Sequence, residues 1–236
     1  MYIVFLVVLA IIFTILSVVG ALKEKKRKDA VITEKMQCKH YIHIIALLWG
    51  ATLAVFAMSF IGNVSFADIG FRQISFNYNI WFTAVTLALS VLALAFFMHK
   101  LIGTLVSEKI REKMEKQILE VEGVGGLLPR TKKEKRLWSL ISFSAGTCEE
   151  IIYRGFLVFL LQAIFPDISV VMIILITFAA FGIAHLYQGL QGVIGTGVMG
   201  VLFMSLFLVT GSLILPMLLH FIIDFSSTFV LSERQV

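Results

Sequence analysis

Two acids, Glu149 and Glu150, stand side by side in "CEEIIYRGF" (148–156), and Arg154 follows the second by four residues. Ionisable groups in so apolar a setting are costly in a membrane and persist where they pair or line a water-filled cavity. The same four-residue step joins Phe181 to His185 and His220 to Asp224. On a helix that step places both members on one face, a turn apart. Arg154 therefore shares a face with Glu150 and can neutralise it through a bidentate contact. Glu149 is rotated by about 100° around the helix and lacks that cation. A carboxylate without a fixed partner suits a general base, which accepts a proton and later returns it. The doublet thus divides into Glu150 for structure and Glu149 for chemistry. The plainer reading is that both acids only fold against Arg154 and neighbouring helices.

The histidines carry a similar choice. A single histidine on a membrane helix is more often an interhelical hydrogen-bonding group than a catalyst. Two of them opposite a glutamate form a set that could hold water or a metal. Glu149, His185 and His220 are a chemically reasonable zinc set, although no HExxH helix is present. Phe181 reads as a packing residue that shapes the pocket beside His185. Cys38 and Cys148 are expected on a cytoplasmic loop and inside a helix, a pattern that fits neither a disulfide nor a zinc cluster. Cys148 reads as a small buried apolar side chain.

These groups sit in a chain of 236 residues that is 59% hydrophobic and 15% charged, far less charge than a soluble domain of this size carries. Seven runs match the roughly 20 apolar residues a membrane helix needs: 2–22, 41–62, 80–99, 137–165, 168–187, 191–210 and 213–232. The last two are separated only by Thr-Gly-Ser at 210–212, the least secure boundary. The expected fold is an all-α polytopic membrane bundle, with about seven transmembrane helices. Residues 105–122 space Ile110, Met114 and Ile118 four apart among charges, and predict an amphipathic helix on the cytoplasmic surface. GVGG (123–126) ends it. Gly192, Thr196 and Gly200 fall four apart and predict close helix packing. Residues 1–126 read as an N-terminal scaffold and 127–236 as the domain that carries the chemistry.

The positive charge of the first run follows it, in KEKKRK (23–28), so it reads as a retained helix rather than a cleaved signal. Lys and Arg collect after the first and third helices, while the connection between the second and third holds only Arg72. Both basic stretches are expected to face the cytoplasm, with the N-terminus outside and the C-terminus inside. The net charge of +5 then reflects anionic lipid and no nucleic acid.

Taken in order, EEIIYR, FGIAH and HFIID resemble the three motifs of the CAAX protease and bacteriocin-processing family, also called the Abi family. That family includes the eukaryotic type II CAAX prenyl endopeptidase. The likeness extends over about 127–228, and the first three helices carry no such signature. It implies an intramembrane endopeptidase in which Glu149 and His185 activate the attacking water. His220 and residue 224 would hold the oxyanion, while Glu150 and Arg154 brace the site. Glutamate-driven hydrolysis without metal or other cofactor is the implied chemistry, with zinc on Glu149, His185 and His220 as the alternative. Asp224 stands where the prenyl endopeptidases usually carry Asn, which weakens any claim to a prenyl substrate. The small size resembles bacterial members, linked to peptide pheromone or bacteriocin processing and self-immunity. A hydrophobic peptide or membrane protein is thus the expected substrate. Two other functions compete: a noncatalytic partner-binding or immunity protein, and a transporter or proton pathway, against which the absence of an internal repeat counts.

Overall fold

The computed structural model describes residues 1–27, 32–76, 78–119 and 126–231. Within them the chain is all-α, with no strand. The order is α1 (Tyr2–Arg27), α2 (Glu34–Ile61), α3 (Ile80–Val106), α4 (Glu108–Leu119), α5 (Lys132–Glu150), α6 (Leu157–Ile164), α7 (Val170–Ala184), α8 (Gly189–Thr210) and α9 (Ile214–Phe225). A π-helical turn, Ile151–Phe156, joins α5 to α6 without a break, and a 3-10 turn, Leu186–Gln188, precedes α8. Lys28, the end of the amphipathic run (120–122), most of GVGG (123–125) and the C-terminal 232–236 lie outside the described residues.

Local chemistry sets the helix starts. Thr33, Asn79 and Ser169 each accept a hydrogen bond from the first turn of α2, α3 and α7. Thr131 and Glu134 form a reciprocal capping box that opens α5, the helix that carries the acid doublet. Gly211 ends α8 in the left-handed conformation at φ 63°, so the Thr-Gly-Ser boundary is a true break between two helices.

Among the described residues four segments are long and apolar enough to cross a membrane: Tyr2–Leu22, Glu34–Ile61, Ile80–Val106 and Leu186–Thr210. They give the membrane helix bundle expected from the sequence. Three details differ. The helix expected over 41–62 starts at Glu34, which moves Cys38 from a loop to a buried site within α2. The run 168–187 yields a helix of only 15 residues, and 213–232 one of only 12 before the chain turns at Ser226–Phe229. At 1.5 Å per residue such helices reach roughly 18–23 Å, short of a hydrocarbon core of about 30 Å. The apolar character beyond Phe225 serves packing instead, since Val230 and Leu231 are buried.

α5 occupies the centre, against α2 on one side and α9 on the other, while α7 and α8 form a packed pair. Contact between α5 and α9 depends on Gly146, where a Cβ would lie 2.8 Å from the Phe221 backbone nitrogen. The main core draws on both parts of the chain, with Phe5, Leu9 and Val55 packed among Ile151, Phe156, Phe181 and Met204. Outside this core, α1 and α3 present apolar side chains such as Val7, Ile11, Leu89 and Leu92 to the surroundings, as lipid-facing helices do. α4 buries nothing, in keeping with a surface helix, and Ile110 packs beside Gly103.

The loop between α2 and α3 is tied to the α8–α9 turn. Leu213 N–H donates to Gly70 O (3.0 Å), Ser75 N–H to Thr210 O (2.9 Å) and Ser212 Oγ to Arg72 O (2.7 Å). Arg72 Nε also donates to Gly211 O. Ile69, fully buried, places its carbonyl against Gly155, where a Cβ would sit only 2.6 Å away. This contact holds the loop over the π-helical turn.

Candidate active site

Glu150 and Arg154 meet as their spacing predicts, with Arg154 Nη1 2.8 Å from Glu150 Oε1 and both side chains fully buried. The contact is not bidentate. Nη2 turns away to donate to Gly200 O at 3.2 Å, and the guanidinium lies over the Phe181 ring, 4.4 Å from its centroid. Gly200 is thus the member of the 192–196–200 stripe that permits close approach, since a Cβ there would lie 3.3 Å from Arg154 Nη2. A Cβ at Gly192 would instead meet Gln188, in the 3-10 turn just before α8.

No pattern in the sequence points to the next contact. His220 Nδ1 lies 2.7 Å from the same Glu150 Oε1 that holds Arg154. The carboxylate accepts, so Nδ1 carries a proton and Nε2 is turned the other way. Phe203 stacks on the imidazole at 4.8 Å and 17°, which fixes its plane. From that orientation His220 Nε2 lies 3.9 Å from Glu149 Oε2 and 3.6 Å from Asp224 Oδ2. The imidazole therefore bonds Glu150 through Nδ1 and turns Nε2 towards Glu149 and Asp224. No spacing rule reveals this, because the contact joins residues 70 apart on α5 and α9.

His185 caps the C-terminus of α7. Its Nδ1 donates to Phe181 O at 2.8 Å, so the predicted Phe181–His185 pair is also linked through the backbone. Phe181 packs between His185 (4.8 Å), His220 (5.9 Å) and Tyr153 (5.2 Å). It bears on both histidines and on Arg154, a larger part than shaping the pocket at His185 alone. Cys148 is buried and unpaired, in line with an apolar packing role.

Glu149, His185, His220 and Asp224 all line one cavity of about 460 Å³. The Glu149 side chain is 16% exposed and that of Asp224 35%, against 0% for Glu150 and Arg154. Glu149 Oε2 has no hydrogen-bond partner. α1 and α2, read from sequence as scaffold, line the same cavity through Phe13, Ser17, His43, Leu47 and Ala51.

Among the described residues no group of three or more His, Cys, Asp or Glu side chains is arranged to hold a metal. Nδ1 of both His185 and His220 is engaged, which leaves Nε2 as the free nitrogen of each ring.

The π-helical turn was also unforeseen. It follows directly on Glu150, and all six of its residues are buried, Arg154 among them. Such turns recur at functional sites because an added residue per turn re-aims the side chains around it.

Fold and site together define a helical membrane protein with an acid–histidine centre set in a cavity inside the bundle. Residues 134–226 match the family described as Type II CAAX prenyl endopeptidase Rce1-like. Over that stretch the likeness read from the three motifs holds, and it contains Glu149, Glu150, Arg154, Phe181, His185, His220 and Asp224. The family is one of proteases. No curated protein and no solved structure matches the chain.

Proposed function

We propose that this protein is an intramembrane endopeptidase that hydrolyses a peptide bond in a hydrophobic or membrane-bound peptide. The observation that carries the reading is the meeting of Glu149, His185, His220 and Asp224 on one cavity, with Glu149 Oε2 3.9 Å from His220 Nε2. That separation exceeds a direct hydrogen bond, so Glu149 is not locked to the imidazole.

In the proposed reaction Glu149, with His185 beside the cavity, takes a proton from water as its oxygen attacks the scissile carbonyl carbon. The carbonyl oxygen becomes an oxyanion, received by His220 Nε2 and Asp224. With Nδ1 committed to Glu150, His220 donates from Nε2 only as an imidazolium, which the adjoining carboxylates favour. Asp224 acts as a neutral donor, since an ionised carboxylate would repel the oxyanion. Collapse of the tetrahedral intermediate breaks the C–N bond, and Glu149 returns its proton to the leaving amine. Glu150, Arg154 and Phe181 hold the donors in place.

The test is purified protein in detergent incubated with a quenched hydrophobic peptide. Cleavage by wild type and its loss in Glu149→Gln is the expected result. No cleavage of any apolar peptide would leave the noncatalytic partner-binding or immunity reading, or a proton pathway. The proposed setting is a bacterial cell membrane with the N-terminus outside and the C-terminus in the cytoplasm. A reporter fused after Val236 should be active only in its cytoplasmic form. An external signal would show that one of the short helices α7 or α9 does not cross.

A further inference from the structure

The cavity is much larger than the reaction needs. Attack by water requires about 30 Å³, whereas the space is about 460 Å³, within the range of pockets that take sizeable ligands. Glu149, His185, His220 and Asp224 lie together on its lining, and Ser17, His40 and His43 add polar groups from α1 and α2. An apolar stretch of the lining comes from α2, where Ile44, Leu47, Leu48 and Ala51 follow helical spacing and form one stripe. Trp49 Nε1 donates to Ser144 Oγ at 3.1 Å, so this part of α2 runs alongside α5 just before Glu149. Phe13 of α1 continues the wall. It stacks on Tyr153 at 4.7 Å and 17°, and Tyr153 meets the Phe181 that packs on both site histidines. None of these α1 and α2 residues falls in the matched segment 134–226.

We propose that the α1–α2 wall is the subsite that selects a bulky apolar side chain beside the cleaved bond, with Leu47 and Ala51 setting its size. The inference rests on the peptidase reading and deepens it. A substrate carbonyl placed between Glu149 and His220 puts its neighbouring side chain into space bounded by Phe13, Ile44, Leu48 and Ala51. Those groups offer burial and no charge, so a large hydrocarbon or aromatic side chain gains most there. Ala51 is the smallest side chain in this stripe and packs against the core.

The experiment is a set of quenched peptides that differ only in the residue before or after the scissile bond: Ala, Leu, Phe or Trp. Wild type should prefer Leu, Phe and Trp over Ala in kcat/KM. Ala51→Leu and Leu47→Trp, which fill the subsite, should each shift the Phe-to-Ala ratio towards Ala by about tenfold or more. Leu47 is 40% exposed, so its substitution spares the core and serves if Ala51→Leu folds poorly. Folded variants that keep the wild-type ratio would overturn the subsite while the peptidase reading stands. A second arm needs no turnover: Glu149→Gln is photo-cross-linked to a peptide with benzoylphenylalanine beside the bond. Adducts within residues 40–51 or at Phe13 support the subsite, and adducts confined to other helices refute it. Absence of cleavage by wild type would count against the peptidase, and the cross-link would then judge the subsite alone.

Discussion

The two walls around His220 share residue types and almost nothing else. On the inner wall Glu150, Arg154 and Gly200 O are joined with the side chains fully buried under Phe181 and Phe203, although Glu150 Oε2 and Arg154 Nε find no partner. On the outer wall Glu149 and Asp224 border the cavity, and neither approaches His220 within hydrogen-bond distance. Glu149 and Glu150 are chain neighbours of identical chemistry, yet one has a cation and an imidazole and the other has neither in direct contact. The difference teaches that identity does not assign the role. A carboxylate locked by two donors has no freedom to exchange a proton with a substrate, and one left open to a cavity does.

Removal of the inner acid should have the largest effect, because it touches both walls. Glu150→Ala leaves Arg154 without its counter-charge and frees His220 Nδ1. Breaking such a buried pair costs about 3–5 kcal/mol, so yield and thermal midpoint in detergent should fall together with turnover. A variant with the wild-type midpoint would show that the inner wall is not what braces the site.

The outer acid should separate chemistry from folding. Glu149→Gln preserves shape and removes only the base, so turnover should drop by about 10²–10⁴-fold while the thermal midpoint stays near wild type. Cleavage at the wild-type rate would take the role of base away from Glu149.

Asp224→Asn probes the outer wall more gently. As a neutral donor Asp224 should be replaceable by Asn, with most turnover kept. An acid donor is lost as pH rises and it ionises, whereas the amide does not titrate, so the variant should work to higher pH. A folded but inactive Asn variant would show instead that Asp224 serves by holding the charge on His220.

The smallest effect is expected at the loop that covers the inner wall. The Ser65 hydroxyl (2.7 Å) and then its backbone N–H (2.9 Å) donate to Asp68 Oδ2 and hold that carboxyl below its ordinary range. A lowered folded-state value stabilises above the ordinary carboxylate range and loses that effect as pH falls through the lowered value. The side chain is exposed, so Asp68→Asn should reduce the thermal midpoint slightly at neutral pH, less so in acid, and leave turnover intact. An equal loss at every pH would mean that charge is not what matters there.

Much of this was legible before the fold was known. Helix positions followed from apolar runs, because burial of hydrocarbon in lipid depends on composition and length. The Glu150–Arg154 pair followed from helical periodicity, which fixes neighbours one turn apart. Thr131 and Glu134 also stand at the spacing of a capping box, a local signal of the same kind. The length of α9 was overestimated because Val230 and Leu231, apolar enough for lipid, are buried in protein instead, and that of α7 because the chain leaves the helix at His185 for the 3-10 turn.

What the sequence determined by itself was the set of local relations: the helices, the three four-residue pairs and the concentration of polar groups in one half of the chain. Only the tertiary structure decided which groups meet. It brought His220 of α9 onto Glu150, turned Arg154 to Gly200 of α8, and placed α1 and α2 around the same cavity as Glu149. The reason is physical. Periodicity acts over one or two turns of a helix, whereas these contacts depend on which helix faces pack and how closely. That closeness was set by Gly146 and Gly200, whose missing side chains leave the space that the site occupies.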